Sequence, residues 1–230
     1  MRWIAIIAVS LLAGFGGAAA WDYSGLGGGA TRAYLLDNPE VLPEAIDVLQ
    51  SRETAQRLAP MRSEIEAEFS GAVLGNPDGA ITLVEFSDYA CGYCRQSVAD
   101  VMQVVKDNPD LKVVVREYPI LSEGSANAAM MALAAADQGR YRQFHDAMFA
   151  QGSVAAENIA AAAIEAGVDM DRAKADIGSG KYQQQLQNNM FLGQQLGVSG
   201  TPAFIVGDKV LQGAVGASQI QAAIAEARDS

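Results

Sequence analysis

The sequence predicts an α/β fold in which a parallel βαβ unit is followed by a large helical insertion and preceded by a helical N-terminal arm. Three observations predict it. Two dense β-type runs, residues 81–86 (Ile-Thr-Leu-Val-Glu-Phe) and 111–118 (Leu-Lys-Val-Val-Val-Arg-Glu-Tyr), flank a segment whose apolar residues Val98, Val101, Met102 and Val105 recur at helical spacing. Strand, helix and strand in that order imply a parallel pair with a right-handed crossover. Residues 125–196 are almost wholly helical in character, and residues 40–69 carry amphipathic patterns ahead of the first strand.

The chain has 230 residues, half of them apolar, which suits one full-sized domain with a small appendage. Its net charge of −11 argues against nucleic acid or anionic lipid as a partner. The start reads as an export signal over residues 1–20: Met1-Arg2-Trp3 is a short positive region, residues 4–15 are apolar, and Ala18-Ala19-Ala20 precede Trp21, the expected mature terminus. A membrane span needs roughly 20 apolar residues, more than this glycine-thinned run supplies. An uncleaved anchor is the alternative.

Residues 21–70 form the expected leader and helical oligomerisation arm, and residues 71–230 the main domain, with its insertion over about 122–196. Ser24-Gly25-Leu26-Gly27-Gly28-Gly29 reads as a flexible leader. Residues 31–36 form one or two helical turns, and Asn38-Pro39 breaks them, with Asn38 as cap and Pro39 at the first position of the next helix. Leu42, Ile46 and Leu49 then follow helical spacing over residues 40–57. After Pro60, Leu58, Met61, Ile65 and Phe69 line one face of another helix. These stripes must pack either on the main domain or on a sister subunit. Residues 71–79 read as turns, with Asn76-Pro77-Asp78-Gly79 as turn chemistry. In the insertion, helix breaks are expected near Gly139, Gly152, Gly167 and Gly178-Ser179-Gly180. A hairpin follows, residues 203–206 and 209–211 across Gly207-Asp208, and Ser218 begins a last helix over residues 219–228.

Cysteine usage is the sharpest feature. An exported protein lives where disulfides form, yet it has two cysteines, Cys91 and Cys94, three residues apart. A bridge closing so small a loop restrains the unfolded chain little, so the pair is there to react. Placed between a strand and a helix, Cys91 stands where unpaired N–H groups and the helix dipole favour a thiolate. Its thiolate attacks a substrate disulfide, and Cys94, one turn on, attacks the mixed disulfide and releases the product. Zinc needs four ligands, and His145 is the sole histidine, so no metal site is assigned. Copper(I) held by the two thiolates is the alternative use of the pair.

Three further positions stand out. Thr201-Pro202, just before a strand, suits a cis peptide that brings a backbone edge beside the active thiol; an ordinary trans proline opening an edge strand is the other reading. Glu85 lies within an apolar strand, where burying a carboxylate is costly. Buried, it has a raised pKa and can take the proton of the resolving thiol; at a strand end, it simply reaches solvent. His145 reads as a packing or surface residue, and Met130, Met131, Met148 and Met190 read as helical core.

Glu85, Cys91-Gly92-Tyr93-Cys94, the following helix and strand, the helical insertion, Thr201-Pro202 and the hairpin together resemble the DsbA family of thioredoxin-fold proteins. The resemblance covers about residues 71–228. It implies a thioredoxin fold with a helical insertion, Cys91 as nucleophile, Cys94 as resolving thiol and Pro202 as cis-proline. Thr201 then offers its backbone to a substrate peptide as a strand does, and Gly92 and Tyr93 join it among the substrate contacts. An acid six residues before the first cysteine matches Glu85 in that family. Arg116-Glu117 and Tyr118-Pro119 look like family scaffold.

Two departures direct the functional expectation. Strongly oxidising members carry Pro-His between the cysteines, whereas Gly92-Tyr93 and Thr201 resemble the DsbC type of isomerase. The arm resembles the N-terminal segment of ScsC-type proteins, the members linked to copper tolerance, some of which it joins into trimers. The expectation is a periplasmic disulfide isomerase or reductase acting on exported cysteine-containing proteins through a redox-active Cys91–Cys94 disulfide, with no other cofactor. It implies a homo-oligomer, a trimer by resemblance, kept reduced by a DsbD/ScsB-like membrane donor. The alternatives are a DsbA-like oxidase served by a DsbB-like partner and a copper(I)-binding protein.

Overall fold

The computed structural model describes residues 26–69 and 71–229, with Trp3, Ser10, residues 14–17 and Trp21 before them. Most of the expected export signal, residues 18–20 included, lies outside the described residues, as do residues 24–25 of the leader. Among the described residues no helix is long and apolar enough to cross a membrane.

The chain divides into two compact units, Met1–Gln50 and Ser51–Ser230. In the first, α1 spans Leu26–Asp37, so residues 26–29 are helical where a flexible leader was expected. Glycine costs a helix about 1 kcal/mol relative to alanine, but extending an existing turn is far easier than nucleating one. Asn38 also differs from expectation: its side-chain amide donates to the Tyr34 carbonyl at 2.9 Å, closing α1 and leaving the next helix uncapped by it. That helix, α2, spans Val41–Leu58. Leu42, Ile46 and Leu49 are 50, 52 and 56% exposed along it.

The second unit begins within α2. The sequence reading grouped residues 21–70 as an arm, yet from Ser51 onward the chain belongs to the compact unit of the sheet. Apolar burial explains the division. Leu58 at the end of α2 and Ile65 in α3 (Arg62–Glu66) are buried against Val84, Phe86, Val114, Leu192 and Ile205, with Met61 packed beside them. A 3-10 turn, Ala59–Met61, joins the two helices through Pro60. Phe69 does not continue this stripe. The backbone turns extended at Ala67, and Phe69 packs edge-on against Tyr182, with ring centroids 5.9 Å apart, in the other core.

The sheet has five strands: β1 (Val73–Gly75), β2 (Ile81–Ser87), β3 (Leu111–Glu117), β4 (Ala203–Val206) and β5 (Lys209–Gln212), in the order β1-β3-β2-β4-β5. The β2–β3 pair is parallel, joined by α4 (Gly92–Asp107), and the other pairs are antiparallel. β1 was expected as turn; three residues carry too little pattern, and its ladder depends on β3, nearly 40 residues away. Alternation along β2 sends Leu83, Glu85 and Ser87 to one face and Val84 and Phe86 to the other. The insertion contains α5 (Glu123–Ala136), α6 (Tyr141–Gln151), α7 (Ala156–Glu165), α8 (Met170–Gly178) and α9 (Gln183–Gln195), broken where the glycines predicted. Gly152 shows why: it ends α6 in the left-handed region, φ 79°. Met131 and Met148 are buried in this helical core. The last helix, α10 (Ala217–Asp229), buries Ile220, Ala223 and Ile224 in the same core.

Candidate active site

The parallel strand β2 ends at Ser87, and Asp88 turns the chain into α4. Its carboxylate accepts the backbone N–H groups of Ala90 (2.8 Å), Ile120 (2.9 Å) and Leu121 (3.1 Å), and its carbonyl accepts that of Cys91 (2.9 Å). The loop is thereby fixed against the segment leaving β3. Cys91 becomes the N-cap of α4, with extended backbone (φ −79°, ψ 118°), and its Sγ accepts the Cys94 N–H at 3.4 Å. An N-cap acceptor satisfies one of the unpaired donors of the first turn, and the same donors favour negative charge there.

The Thr201–Pro202 peptide is cis, and the Cys91 thiol donates to the Thr201 carbonyl at 3.2 Å. Two segments 110 residues apart in sequence therefore meet at one sulfur. Tyr93 is 64% exposed, and a side chain at Gly92 would meet nothing, so the dipeptide between the thiols faces open space.

The two thiols differ sharply in environment. Burial works to raise the Cys91 thiol, but the Thr201 side chain, the Cys94 backbone N–H and thiol, and the Tyr93 N–H outweigh it, and its pKa is lowered. Cys94 is wholly buried, which pushes its thiol up to about 12 despite opposing hydrogen bonds, with the charge of Glu85 adding to the rise. One sulfur is thus presented as a nucleophile, and the other keeps its proton until something removes it.

Glu85 is 3% exposed, inside the sheet and away from solvent. Burial raises its carboxyl to about 7, with the Ser87 hydroxyl pulling the other way. Glu117, read from the sequence as scaffold, sits in this same environment. It is fully buried, and its Oε1 accepts the hydroxyls of Tyr141 (2.9 Å) and Tyr89 (3.3 Å). Burial pushes it up to about 8, with the charges of Asp88 and Glu85 adding to the rise. His145 stands 3.3 Å from the Tyr89 hydroxyl through Nδ1 and packs edge-on against Phe149. Burial lowers it to about 4, so it is neutral at physiological pH, a packing residue with one polar contact. The signal for Glu117 was available in part: a carboxylate at the end of a β-type run, like Glu85, faces a cost if buried. Its tyrosine partners came from a loop and from a distant helix, which spacing does not reveal.

Among the described residues, no three or more His, Cys, Asp or Glu side chains are gathered to hold a metal ion. Copper(I) bound by two thiolates would need only Cys91 and Cys94.

Residues 68–226 match the family described as Thioredoxin, and residues 28–56 match the one described as Copper resistance protein ScsC N-terminal domain. A thioredoxin-like oxidoreductase from Silicibacter pomeroyi is 42% identical, covering 69% of this chain and 92% of its own, with a TM-score of 0.66. The thiol-disulfide exchange protein alpha-DsbA2 from Wolbachia pipientis is 29% identical over 77% of this chain and 97% of its own, with a TM-score of 0.71. Proteus mirabilis ScsC, in a transitional conformation, is 27% identical over 86% of this chain and 93% of its own, with a TM-score of 0.66. The chain spans about a quarter of the length of the curated relatives it first matches, Na(+)/H(+) antiporters. That of Herminiimonas arsenicoxydans is 30% identical over 68% of this chain and 25% of its own length.

Proposed function

The chain belongs to the thioredoxin family, and from that premise we propose that it is a ScsC-type thiol–disulfide oxidoreductase, acting in the periplasm as an isomerase or reductase of exported proteins. The observation that carries the reading is the opposed pair of thiols in one helical turn, Cys91 lowered and Cys94 raised. The Cys91 thiolate attacks one sulfur of a substrate disulfide, and the other sulfur leaves with the bonding electrons. Cys94 then gives up its proton and attacks Cys91, breaking the mixed disulfide and releasing the substrate thiolate. The dithiol is oxidised as the substrate disulfide is reduced. In isomerisation a second substrate thiolate displaces Cys91 instead. Glu85 takes the proton of Cys94, and Thr201 and Pro202, with Gly92 and Tyr93, bound the strip where the substrate backbone lies.

The direction of the chemistry is supported by Gly92-Tyr93 between the thiols and by the arm. The exposed stripe of Leu42, Ile46 and Leu49 supports assembly of several copies. Several active sites in one assembly hold a misfolded substrate while bonds are broken and remade, raising their effective concentration. A membrane donor returns the pair to the dithiol form.

The deciding measurement is the redox state of Cys91 and Cys94 in cells, by acid quenching and thiol alkylation. Mostly reduced cysteines support isomerase or reductase. Mostly oxidised cysteines would reverse the direction and make the protein an oxidase. Tight copper(I) binding without turnover of any disulfide would replace both.

A further inference from the structure

The helix bearing the thiols lies over one face of the sheet, and three polar side chains occupy that face near the end of the parallel pair. Strand alternation puts Glu85 and Ser87 on the same side of β2, and the register sets Ser87 across from Glu117. Ser87 is 3% exposed, and its Oγ is buried with no hydrogen-bond partner. Buried hydroxyls are rarely left so, because the unmade bond is costly. Cys94 is buried in the core that covers this same face, with Leu83, Val113 and Val115, and the Ser87 hydroxyl favours the ionised form of both Glu85 and Cys94 against the burial that opposes it. It stands near both ends of the proton transfer that the second step requires, and at rest it is bonded to neither.

We propose that Ser87 relays the proton between Cys94 and Glu85 during disulfide exchange, a role that rests on the thiol–disulfide reading of the site. As the Cys94 sulfur attacks Cys91, its proton passes to Ser87 Oγ, and the Ser87 proton passes to the Glu85 carboxylate. The new S–S bond joins Cys91 and Cys94, and the electrons of the broken bond leave on the substrate sulfur, which is protonated from solvent. In the reverse direction Glu85 returns the proton along the same path. Besides Cys91, the titratable groups facing this path are Glu117 from β3, Asp88 and Tyr89 from the loop, and Tyr141 and His145 from α6. Ser87 is therefore a relay between groups already in place, and its single-atom hydroxyl is the whole of its contribution.

The test uses the full chain as wild type, Ser87→Ala and Ser87→Thr. Each reduced protein is mixed with glutathione disulfide, acid-quenched over time, and weighed by mass spectrometry. The mixed disulfide on Cys91 reports the first step, and the Cys91–Cys94 disulfide reports the second. Ser87→Ala is expected to slow the second step about tenfold between about pH 7 and 8, where Glu85 is ionised and can accept the proton, with the gap closing toward about pH 9 as hydroxide takes the proton directly. The first step changes by less than about twofold, since no proton leaves Cys94 in it. Ser87→Thr, which keeps the hydroxyl, restores the wild-type profile. An unchanged second step in Ser87→Ala, or a threonine variant as slow as the alanine one, overturns the relay alone. A wild type that forms neither product overturns the thiol–disulfide reading and the relay with it.

Discussion

Arg116 and Glu117 are consecutive on β3 and send their side chains to opposite faces of the sheet. The Arg116 guanidinium donates to the carbonyls of Glu64, Ile65 (2.9 Å) and Ala67 (2.5 Å) and to Asn189 Oδ1 (3.0 Å). The Glu117 carboxylate takes the hydroxyls of Tyr89 and Tyr141, and its carbonyl accepts the Asn189 side-chain amide at 3.0 Å. One strand end thus holds the C-terminal end of α3 on one side and the loop carrying the thiols on the other. Burial lowers Arg116 to about 10, which leaves it charged at neutral pH.

Removing the guanidinium leaves several buried acceptors without donors. Arg116→Met is expected to cost about 2–4 kcal/mol of stability. In urea unfolding the midpoint should fall with the slope unchanged. Arg116→Lys keeps the charge without the fork and should recover less than half of the loss. A variant as stable as wild type would show that the carbonyls find other donors.

Glu85 and Glu117 both hold their protons more tightly in the folded chain than in the unfolded one, with values of about 7 and about 8. The stability this contributes is fully present below their unfolded value and is lost as pH rises through about 7 to 8. His145 has the opposite sign: lowered to about 4, it contributes above its ordinary value and is lost as pH falls toward 4. Glu117→Gln should therefore gain on the wild type at alkaline pH, with the difference vanishing toward about pH 4. Thermal unfolding across pH measures it, and a difference independent of pH would mean that Glu117 is ionised throughout.

The Thr201 side chain is the largest of the contacts that lower the Cys91 thiol. Thr201→Val should raise that thiol, so alkylation near pH 6 slows several-fold while the rate at alkaline pH converges on the wild type. Cys94 should stay unmodified in both folded proteins. Equal alkylation profiles would assign the lowered thiol to the helix terminus alone.

Ile46 and Leu49 on α2 are the places to break an assembly, because they are exposed and the charge replaces apolar surface. Ile46→Lys with Leu49→Lys should lower the sedimenting mass. It should also reduce the repair of scrambled multi-disulfide proteins by about an order of magnitude. Reduction of a small disulfide should be unchanged. Wild-type mass in the double variant would remove the assembly reading. Truncation through Phe69 is the wrong tool, since Leu58 and Ile65 belong to the core beneath the sheet.

The strands β2 and β3, the crossover helix and the breaks of the insertion were legible because each is a local pattern, β-branched runs and glycines at helix ends. Cys91 and Cys94 were legible as chemistry, since the chain has two cysteines, whereas Thr201-Pro202 stood out as a cis-proline site only through the resemblance to the DsbA family. Less legible were features decided by contacts far apart in sequence. β1 exists only against β3. Phe69 was drawn from its expected helical face by Tyr182. Ser87 falls just beyond the residues read as strand, and its buried, unpaired hydroxyl, a trait shared by Ser97 on α4, is set apart by its place beside Glu85 on β2. Which of the two expected partners each stripe takes was hidden for the same reason: Leu58 and Ile65, which pack on the main domain, carry the same helical periodicity as Leu42 and Ile46.

Cys94 is completely buried, and that burial decides what the surroundings can do to this protein. Solvent-borne oxidants, alkylators and metals in solution meet a single sulfur, that of Cys91. A sulfenic acid formed there has a thiol within reach to condense with, and the resulting disulfide is a normal state of the pair. Damage that would strand an isolated exposed cysteine at a higher oxidation state is thereby diverted into a form that any thiol donor reverses.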